Sequence, residues 1–325
     1  TGALQDGPAD AVVIRPVLDR DQGLVVSNGL CPRYSDLDTY WMMANAVDEA
    51  VRNAVAVGGN LRHMAGVDNF CWCDPVQSDK TPDGEHKLAQ LVRANQALAH
   101  FCLGFGVPCI SGKDSMKNDY TIEQYKISIP PTVLFSVISV IPDINLCCTS
   151  DLKKPGDILY LLGRTGKEMG GSELVDELDL VGGFVPQVDV LSARSRYLTL
   201  YSTISRGLVS ACHDLSDGGL GVAMAEMCIG GNLGADLDLE HVPVCGGEAY
   251  APEELLYSET PSRMLVSVPK DKAQEFEGLF AGQCLARVGL VREDPVLQVQ
   301  RGEKQVFTEE VQELRRSWQG TFLGF

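Results

Sequence analysis

Between residues 36 and 57, DLDTYWMMANAVDEAVRNAVAV, the chain runs without glycine or proline. Met42, Ala46, Ala50 and Ala54 recur every fourth residue, and Met43, Val47 and Val51 form a neighbouring stripe. That spacing predicts a long, mostly buried helix. Asp36 or Asp38 can cap its start, and Gly58-Gly59 can end it in a left-handed turn. A second helix is predicted over 86–105, stopped by Gly106 and Pro108. Short β-branched runs predict strands at Asp10–Arg15, closed by Pro16, at Leu24–Ser27 before Asn28-Gly29, and at Thr132–Val140. Polar residues 142–156 read as a boundary. Beyond it the pattern predicts strands at 157–162, 263–268 and 284–291, and helices at 188–209, 220–228 and 270–281. Strands and helices alternate there in an α+β or α/β layout. No short-period repeat or low-complexity tract is present, and residues 1–7, TGALQDG, read as a domain edge.

The 325 residues suggest about two domains, since a domain takes ~150 residues. Mean hydropathy is near zero, which permits a large core. The net charge of −17 repels phosphodiester backbones, so nucleic acid is not expected as a partner. A small phosphorylated ligand stays possible, because Mg²⁺ bridges carboxylates and phosphates. No apolar run approaches the ~18 residues of a membrane span, and no signal-peptide pattern opens the sequence. The eleven cysteines include no CxxC pair, so they read as thiols of a cytoplasmic protein, with Cys71-Trp-Cys73 as half a metal site the alternative.

Candidate chemistry gathers in a few places. Glu49 and Asn53 share one face of the first helix. They read either as a surface pair with Asp48 and Arg52 as solvated neighbours, or as oxygen ligands for Mg²⁺. Asp10, heading an apolar strand, is an edge residue or a further ligand. In HDLSDGGL, 213–220, Asp214 and Asp217 lead into Gly218-Gly219 and a helix start. Glycines there let backbone N–H groups approach a phosphate; an Asp cap with ordinary turn geometry is the plain alternative. Ser111-Gly-Lys-Asp-Ser115 has the end of a P-loop, but Gly106 lies one residue too far upstream and Asp114 follows the lysine. Lys113, with Asp114 and Ser115, remains a candidate phosphate contact or a solvated loop. The loop Gly163–Ser172 is glycine-rich and follows a strand. Arg263 pairs with Glu259 or binds phosphate. His100 reads as a packed helix residue, and of the five histidines only His213 lies in such a motif. No Ser-His-Asp triad or dinucleotide fingerprint is present.

Taken together, DAVVIRP, AVDEAVRNAVAVGG, DNFCW, KLAQLVRANQAL, PCISGKDSMKNDY, GDILYLLG, HDLSDGGLGVAMAEM and SETPSRMLV resemble the phosphoribosylformylglycinamidine synthase family, in family order and over roughly residues 10–270. The wider superfamily includes aminoimidazole ribonucleotide synthetase and selenophosphate synthetase. The resemblance implies an α+β fold of two domains: an N-terminal half-barrel sheet with helices over 8–145, and a C-terminal α/β-type sandwich over 155–325. It implies ATP- and glutamine-dependent conversion of formylglycinamide ribonucleotide to formylglycinamidine ribonucleotide. Mg²⁺ and ATP or ADP are the implied cofactors. Asp10, Glu49, Asn53 and Asp214, with Asp217 next, match the metal ligands; Lys113, Asp114, Ser115, Gly218 and Gly219 stand beside them as the candidate nucleotide contacts read from the residues.

The family's first unit carries an RD pair and an ESHNHP-like segment. Here the helix reads Arg52-Asn53 and no such segment occurs. The resemblance is therefore to the second synthetase unit of a fused chain, which in large members holds an auxiliary ADP. The implied partners are the first synthetase unit and a glutaminase domain or subunit. Alone, the unit is expected to be inactive and to self-associate as a homodimer through its open sheet. A non-catalytic nucleotide-binding scaffold and a stand-alone homodimeric synthetase or kinase are the alternative readings.

Overall fold

The computed structural model describes residues 1–320 except 3, 6 and 124; residues 321–325 of the second expected domain lie outside the described residues. The N-terminal half carries β1 (Val12–Ile14), β2 (Gly23–Gly29), α1 (Thr39–Ala56), β3 (Met64–Cys71), α2 (Gly84–Phe105), β4 (Cys109–Ser115), the hairpin β5 (Asp119–Ile122) and β6 (Tyr125–Ser128), and β7 (Thr132–Ile141). Five of these strands form one sheet in the order β1-β2-β7-β3-β4. Residues alternate along β7: Val133, Phe135, Val137 and Ile141 are buried, whereas Ile138 is exposed. Only one face of this sheet is therefore covered, by α1 and α2. On the open face Val12 pairs with Val26, and Val26 with Ile138.

Helix α1 ends where its chemistry demands. Asp38 accepts hydrogen bonds from Tyr40 N (2.8 Å) and Trp41 N (3.4 Å), and Arg93 reaches both carboxylate oxygens, at 2.7 and 2.6 Å. Partial burial opposes this charge. The bonds from Arg93 and the helix backbone outweigh burial and hold the carboxyl below its usual range. Its stabilisation is thus complete above the ordinary carboxylate pKa and is lost as pH falls through the lowered value. Asp38→Ala is expected to cost about 1 kcal/mol near neutral pH and much less in strong acid, read from urea midpoints at both pH values.

The C-terminal half carries β8 (Ile158–Leu162), α3 (Glu173–Glu177), α4 (Val190–Ser205), β9 (Ala211–Asp214), α5 (Gly219–Gly231), β10 (Gly234–Asp238), α6 (Pro252–Tyr257), β11 (Met264–Val268), α7 (Ala273–Leu279), β12 (Leu285–Arg292), β13 (Val296–Arg301), β14 (Lys304–Glu310) and α8 (Val311–Gly320). The sheet order is β14-β13-β10-β12-β8-β11-β9. Every residue of β8 and β11 is buried. Tyr160, Leu162 and Val266 face a core shared with α1, α4 and α7, whereas Leu159, Leu161 and Leu265 face a second core under α5, α6 and α8. Covered on both sides, these strands read as unbroken apolar runs. Pairing is antiparallel except for β10 with β13 among the described residues, so this is a mixed α+β sheet.

Three sequence expectations change here. Ser111–Ser115 is not a loop. It belongs to edge strand β4, paired in parallel with β3, whose bond partners outweigh its polar composition. Asp48 and Arg52 are not solvated; both are buried under the C-terminal half. His100 is exposed, its ring stacked on Phe101 and its Nδ1 2.6 Å from the Tyr40 hydroxyl.

Candidate metal and nucleotide centre

The centre forms where the head of β1, the outward end of β2, α1 and the β9–α5 turn converge. Gly29 at the end of β2 lies against the α1 backbone, and a Cβ there would sit 2.1 Å from Ala46 O. This close approach lets Leu30 N donate to Glu49 Oε2 at 2.9 Å and Asn53 Nδ2 donate to Asn28 O at 3.4 Å. Helix α1 thereby presents Glu49 and Asn53 one turn apart. Burial drives the Glu49 pKa up to about 7. The nearby Arg52 guanidinium opposes this rise, while Asp214 and Asp217 add to it.

Asp10 comes in from the other side. Its Oδ1 lies 2.8 Å from His213 Nδ1 and accepts from Asp214 N at 3.0 Å. Its Oδ2 is buried and accepts no hydrogen bond from the described residues; neither does the buried Oδ1 of Asn53. The second imidazole nitrogen, His213 Nε2, lies 2.9 Å from Glu226 Oε2. Burial acts to strip the His213 proton, but Asp10 and Glu226 hold it well above the ordinary imidazole range. Asp10 is in turn held below its usual range despite its burial, mainly by His213. One oxygen each of Asp10 and Asp214 and a His213 nitrogen lie within 4.8 Å of one another. With a carboxylate at each ring nitrogen, His213 orients Asp10.

Arg52 closes the cluster. Its Nε donates to Asp214 Oδ2 at 2.8 Å and its Nη1 to Asp48 Oδ2 at 2.7 Å. Asp48 also accepts from Tyr197 Oη (2.7 Å), Ser262 N (2.9 Å) and Ser262 Oγ (2.8 Å). Asp214 stays raised by burial even so, because Arg52 and His213 offset only part of that cost. Asp217, on the outer side, is raised by desolvation and by the charge of Glu173. The carboxylates of Asp10, Glu49, Asp214 and Asp217 thus exceed the positive charge of Arg52 and His213. Two orphaned oxygen atoms sit among them. An excess of hard oxygen donors with spare lone pairs fits Mg²⁺.

The candidate nucleotide contacts behave differently. Gly218 N donates to Glu259 Oε1 at 3.0 Å, and Gly219 N to Ser216 O at 3.0 Å, so neither N–H is free for a phosphate. Both glycines have positive φ, and a Cβ on Gly219 would meet Ser258 O at 2.3 Å. The glycines therefore serve the turn geometry, with Glu259 as the anion at the start of α5. Glu259 also accepts from Glu173 N and Tyr34 Oη, each at 2.8 Å. It does not pair with Arg263. That guanidinium is fully buried on Ser258 O, Thr260 O (2.7 Å) and Thr165 Oγ1 (2.9 Å), and burial lowers its pKa to about 9. Lys113, Asp114 and Ser115 lie on β4, across the sheet from β1. At about 4.8 Å per strand the two edges stand roughly 19 Å apart, so within one copy these residues do not meet the carboxylate cluster.

The sequence pattern pointed to Asp48, Arg52, His213 and Glu259 without showing that they organise the ligands, and it did not single out Glu226. Asp48 and Arg52 carry one readable signal, an i, i+4 charge pair embedded among alanine and valine. The His213–Glu226 pair has none.

An open five-stranded sheet joined to a seven-stranded mixed sheet, with a buried acidic centre at the junction, is the two-domain α+β architecture of the AIR synthase fold. The chain belongs to the AIR synthase related family: residues 8–133 match its N-terminal domain and residues 154–302 its C-terminal domain. It is similar to phosphoribosylformylglycinamidine synthase subunit PurL. The Thermococcus sibiricus protein is 32% identical over 288 residues, covering 89% of this chain and 38% of the relative. The Anaeromyxobacter protein is 31% identical over 329 residues, covering 98% and 40%. The chain thus spans about two fifths of the length of these curated relatives. Among solved structures, T. maritima PurL complexed with FGAR superposes with a TM-score of 0.75 at 23% identity, covering 96% of this chain and 48% of that one. T. maritima PurL complexed with ADP gives 0.73 at 22%, covering 97% and 46%. Among the described residues no helix is long and apolar enough to cross a membrane.

Proposed function

We propose that this chain is the second synthetase unit of a phosphoribosylformylglycinamidine synthase, a cytoplasmic ligase of purine biosynthesis, and that it holds an Mg-nucleotide in an auxiliary role. Its domains are proposed at 8–145 and 155–325. The observation that carries the reading is the pair of buried oxygens without hydrogen bonds, Asp10 Oδ2 and Asn53 Oδ1, in a cluster with excess carboxylate. The similar PurL proteins, one of them complexed with ADP, support it.

In this reading Asp10, Glu49, Asn53 and Asp214, with Asp217 at the rim, hold Mg²⁺. Bound there, the ion neutralises polyphosphate oxygens and, in a site that turns over, a transferring phosphoryl group. The protein does the positioning. His213 turns Asp10 so that Oδ2 points free, Leu30 N and the Gly29 contact fix Glu49, and Arg52 sets Asp214. The open face with Val12, Ile14, Val26 and Ile138 exposed takes the first synthetase unit in the intact enzyme, or a second copy in its absence. Lys113 lies on that same face by register, opposite Asn69, which pairs with Leu134. The glutaminase belongs to another domain or subunit, and the unit alone is expected to produce no formylglycinamidine ribonucleotide.

The test is calorimetric titration of the chain with ATP and ADP, with and without Mg²⁺, beside Asp10→Asn and Glu49→Gln. Saturable binding that needs Mg²⁺ and falls at least about tenfold in each folded variant is expected. A folded, nucleotide-free wild type that binds neither nucleotide would sink the reading.

A further inference from the structure

Away from the metal centre, two cysteines face each other across the turn that joins α2 to β4. Cys102 Sγ lies 3.7 Å from Cys109 Sγ. Both backbones are held in place. Cys102 O accepts from Gly106 N and Val107 N, each at 2.9 Å, and Gly106 turns the chain back with a φ of +77°. Cys109 opens β4 opposite Gly66, whose N–H donates to Pro108 O at 2.8 Å. Cys102 is half-buried in the last turn of α2, whereas Cys109 is exposed. An apolar groove of about 540 Å³, lined by Leu98, Leu103, Val107 and Pro108, opens onto both cysteines. Burial pushes both thiols above their ordinary range; the neighbouring sulfur adds to the rise at Cys102, and the charge of Asp68 adds to it at both. At neutral pH the pair is therefore a protonated dithiol.

We infer that Cys102 and Cys109 form a thiol–disulfide modification site that fastens the edge strand β4 to α2. β4 is bonded to β3 on one side only, and a strand so placed opens more readily than an inner one. A disulfide needs the two sulfurs to close to about 2.0 Å, a movement that side-chain rotation supplies while the backbone stays. The oxidant is a low-molecular-weight disulfide of the glutathione class. The more exposed Cys109, as thiolate, attacks one sulfur of that disulfide and expels the first glutathione thiolate. Cys102, deprotonated in turn, attacks the Cys109 sulfur of the mixed disulfide and expels the second. Two protein S–H bonds give one S–S bond, and the oxidant leaves as two thiols carrying the two protons. Oxidation therefore speeds up as pH rises toward the thiol pKa values, and a dithiol reductant reverses it. The inference does not rest on the Mg-nucleotide reading, since neither cysteine is among the proposed ligands.

Trypsin gives a direct readout, because Arg93 and Lys113 bound one peptide, 94–113, that carries Cys102 and Cys109 and no other cysteine. The full chain is incubated with oxidised glutathione, alkylated, digested and analysed by mass spectrometry. The wild-type peptide is expected free of alkyl groups and of glutathione, about 2 Da lighter than the reduced peptide. Dithiothreitol before alkylation is expected to restore two alkylated cysteines. Cys102→Ser is expected to stop at a glutathione adduct on Cys109. Hydrogen exchange of the amides of Cys109–Ser115 is expected to slow at least about threefold in the oxidised chain. Thermal melts check folding, and the wild-type result decides should the serine variant not fold. A wild-type peptide alkylated at both cysteines overturns the inference, as does a lasting glutathione adduct on it, a link to another cysteine peptide, or unchanged exchange in β4 once the disulfide has formed.

Discussion

Arg52→Met is expected to destabilise the chain by about 3–5 kcal/mol, the usual cost of removing one partner from a buried ion pair. The reason is the position of Arg52 rather than its charge alone. It joins Asp48 on its own helix to Asp214 on β9, both buried, and so ties the N-terminal half to the C-terminal half. Asp48 keeps its bonds from Tyr197 and Ser262 in the variant, but Asp214 is left with Asp10 and Glu49 close by and one fewer cation. Urea unfolding at neutral pH checks this through the midpoint at constant slope. A change below about 1 kcal/mol, the size of an exposed pair, would mean that Asp214 is solvated and the network is not what joins the halves. Added Mg²⁺ is expected to restore part of the loss, because it supplies positive charge to the same carboxylates.

Gly29→Ala is expected to cost about 3 kcal/mol, at the upper end for overpacking. The added Cβ would meet Ala46 O at 2.1 Å and Ala50 N at 2.8 Å. Both are helix backbone atoms and cannot rotate aside. Either β2 or α1 must shift, and the shift separates Leu30 N from Glu49. The variant should therefore lose Mg²⁺-dependent nucleotide binding as well as stability, whereas Asp38→Ala at the far end of α1 should lose stability alone. Measuring both variants by urea titration and calorimetry separates a general loosening from displacement of Glu49. Gly29→Ala with wild-type stability would show that β2 and α1 do not touch there.

Much of the fold was legible because local pattern and burial agree. The α1 stripe of Met42, Ala46, Ala50 and Ala54 is buried throughout, Asp38 caps the helix, and Gly106 ends α2 in the left-handed conformation. β8, β11 and β7 stand where the apolar runs placed them, within a residue or two. Among the strands that escaped, β4 and β14 are rich in polar residues and β9 and β10 are short, and each exists because a neighbour supplies its hydrogen bonds. SGKDS illustrates it. Its glycine and charges argue for a loop, yet β3 holds it in the sheet.

The candidate site divides along the same line. By itself the sequence determined which oxygen-bearing residues share one face of α1, Glu49 and Asn53, and which stand beside strand ends and turns, Asp10, Asp214 and Asp217. Helical spacing and strand boundaries are short-range properties, so one stretch of chain suffices to read them. Only the tertiary structure decided how those residues are used. Asp10 meets His213 and Asp214 about two hundred positions away, Arg52 turns inward because the C-terminal half covers α1, and Glu259 occupies the N–H group that Gly218 offered to a phosphate. Each of these depends on burial and on partners distant along the chain. A charge that is solvated in an isolated helix becomes, under a second layer of protein, the group that sets the geometry of the site.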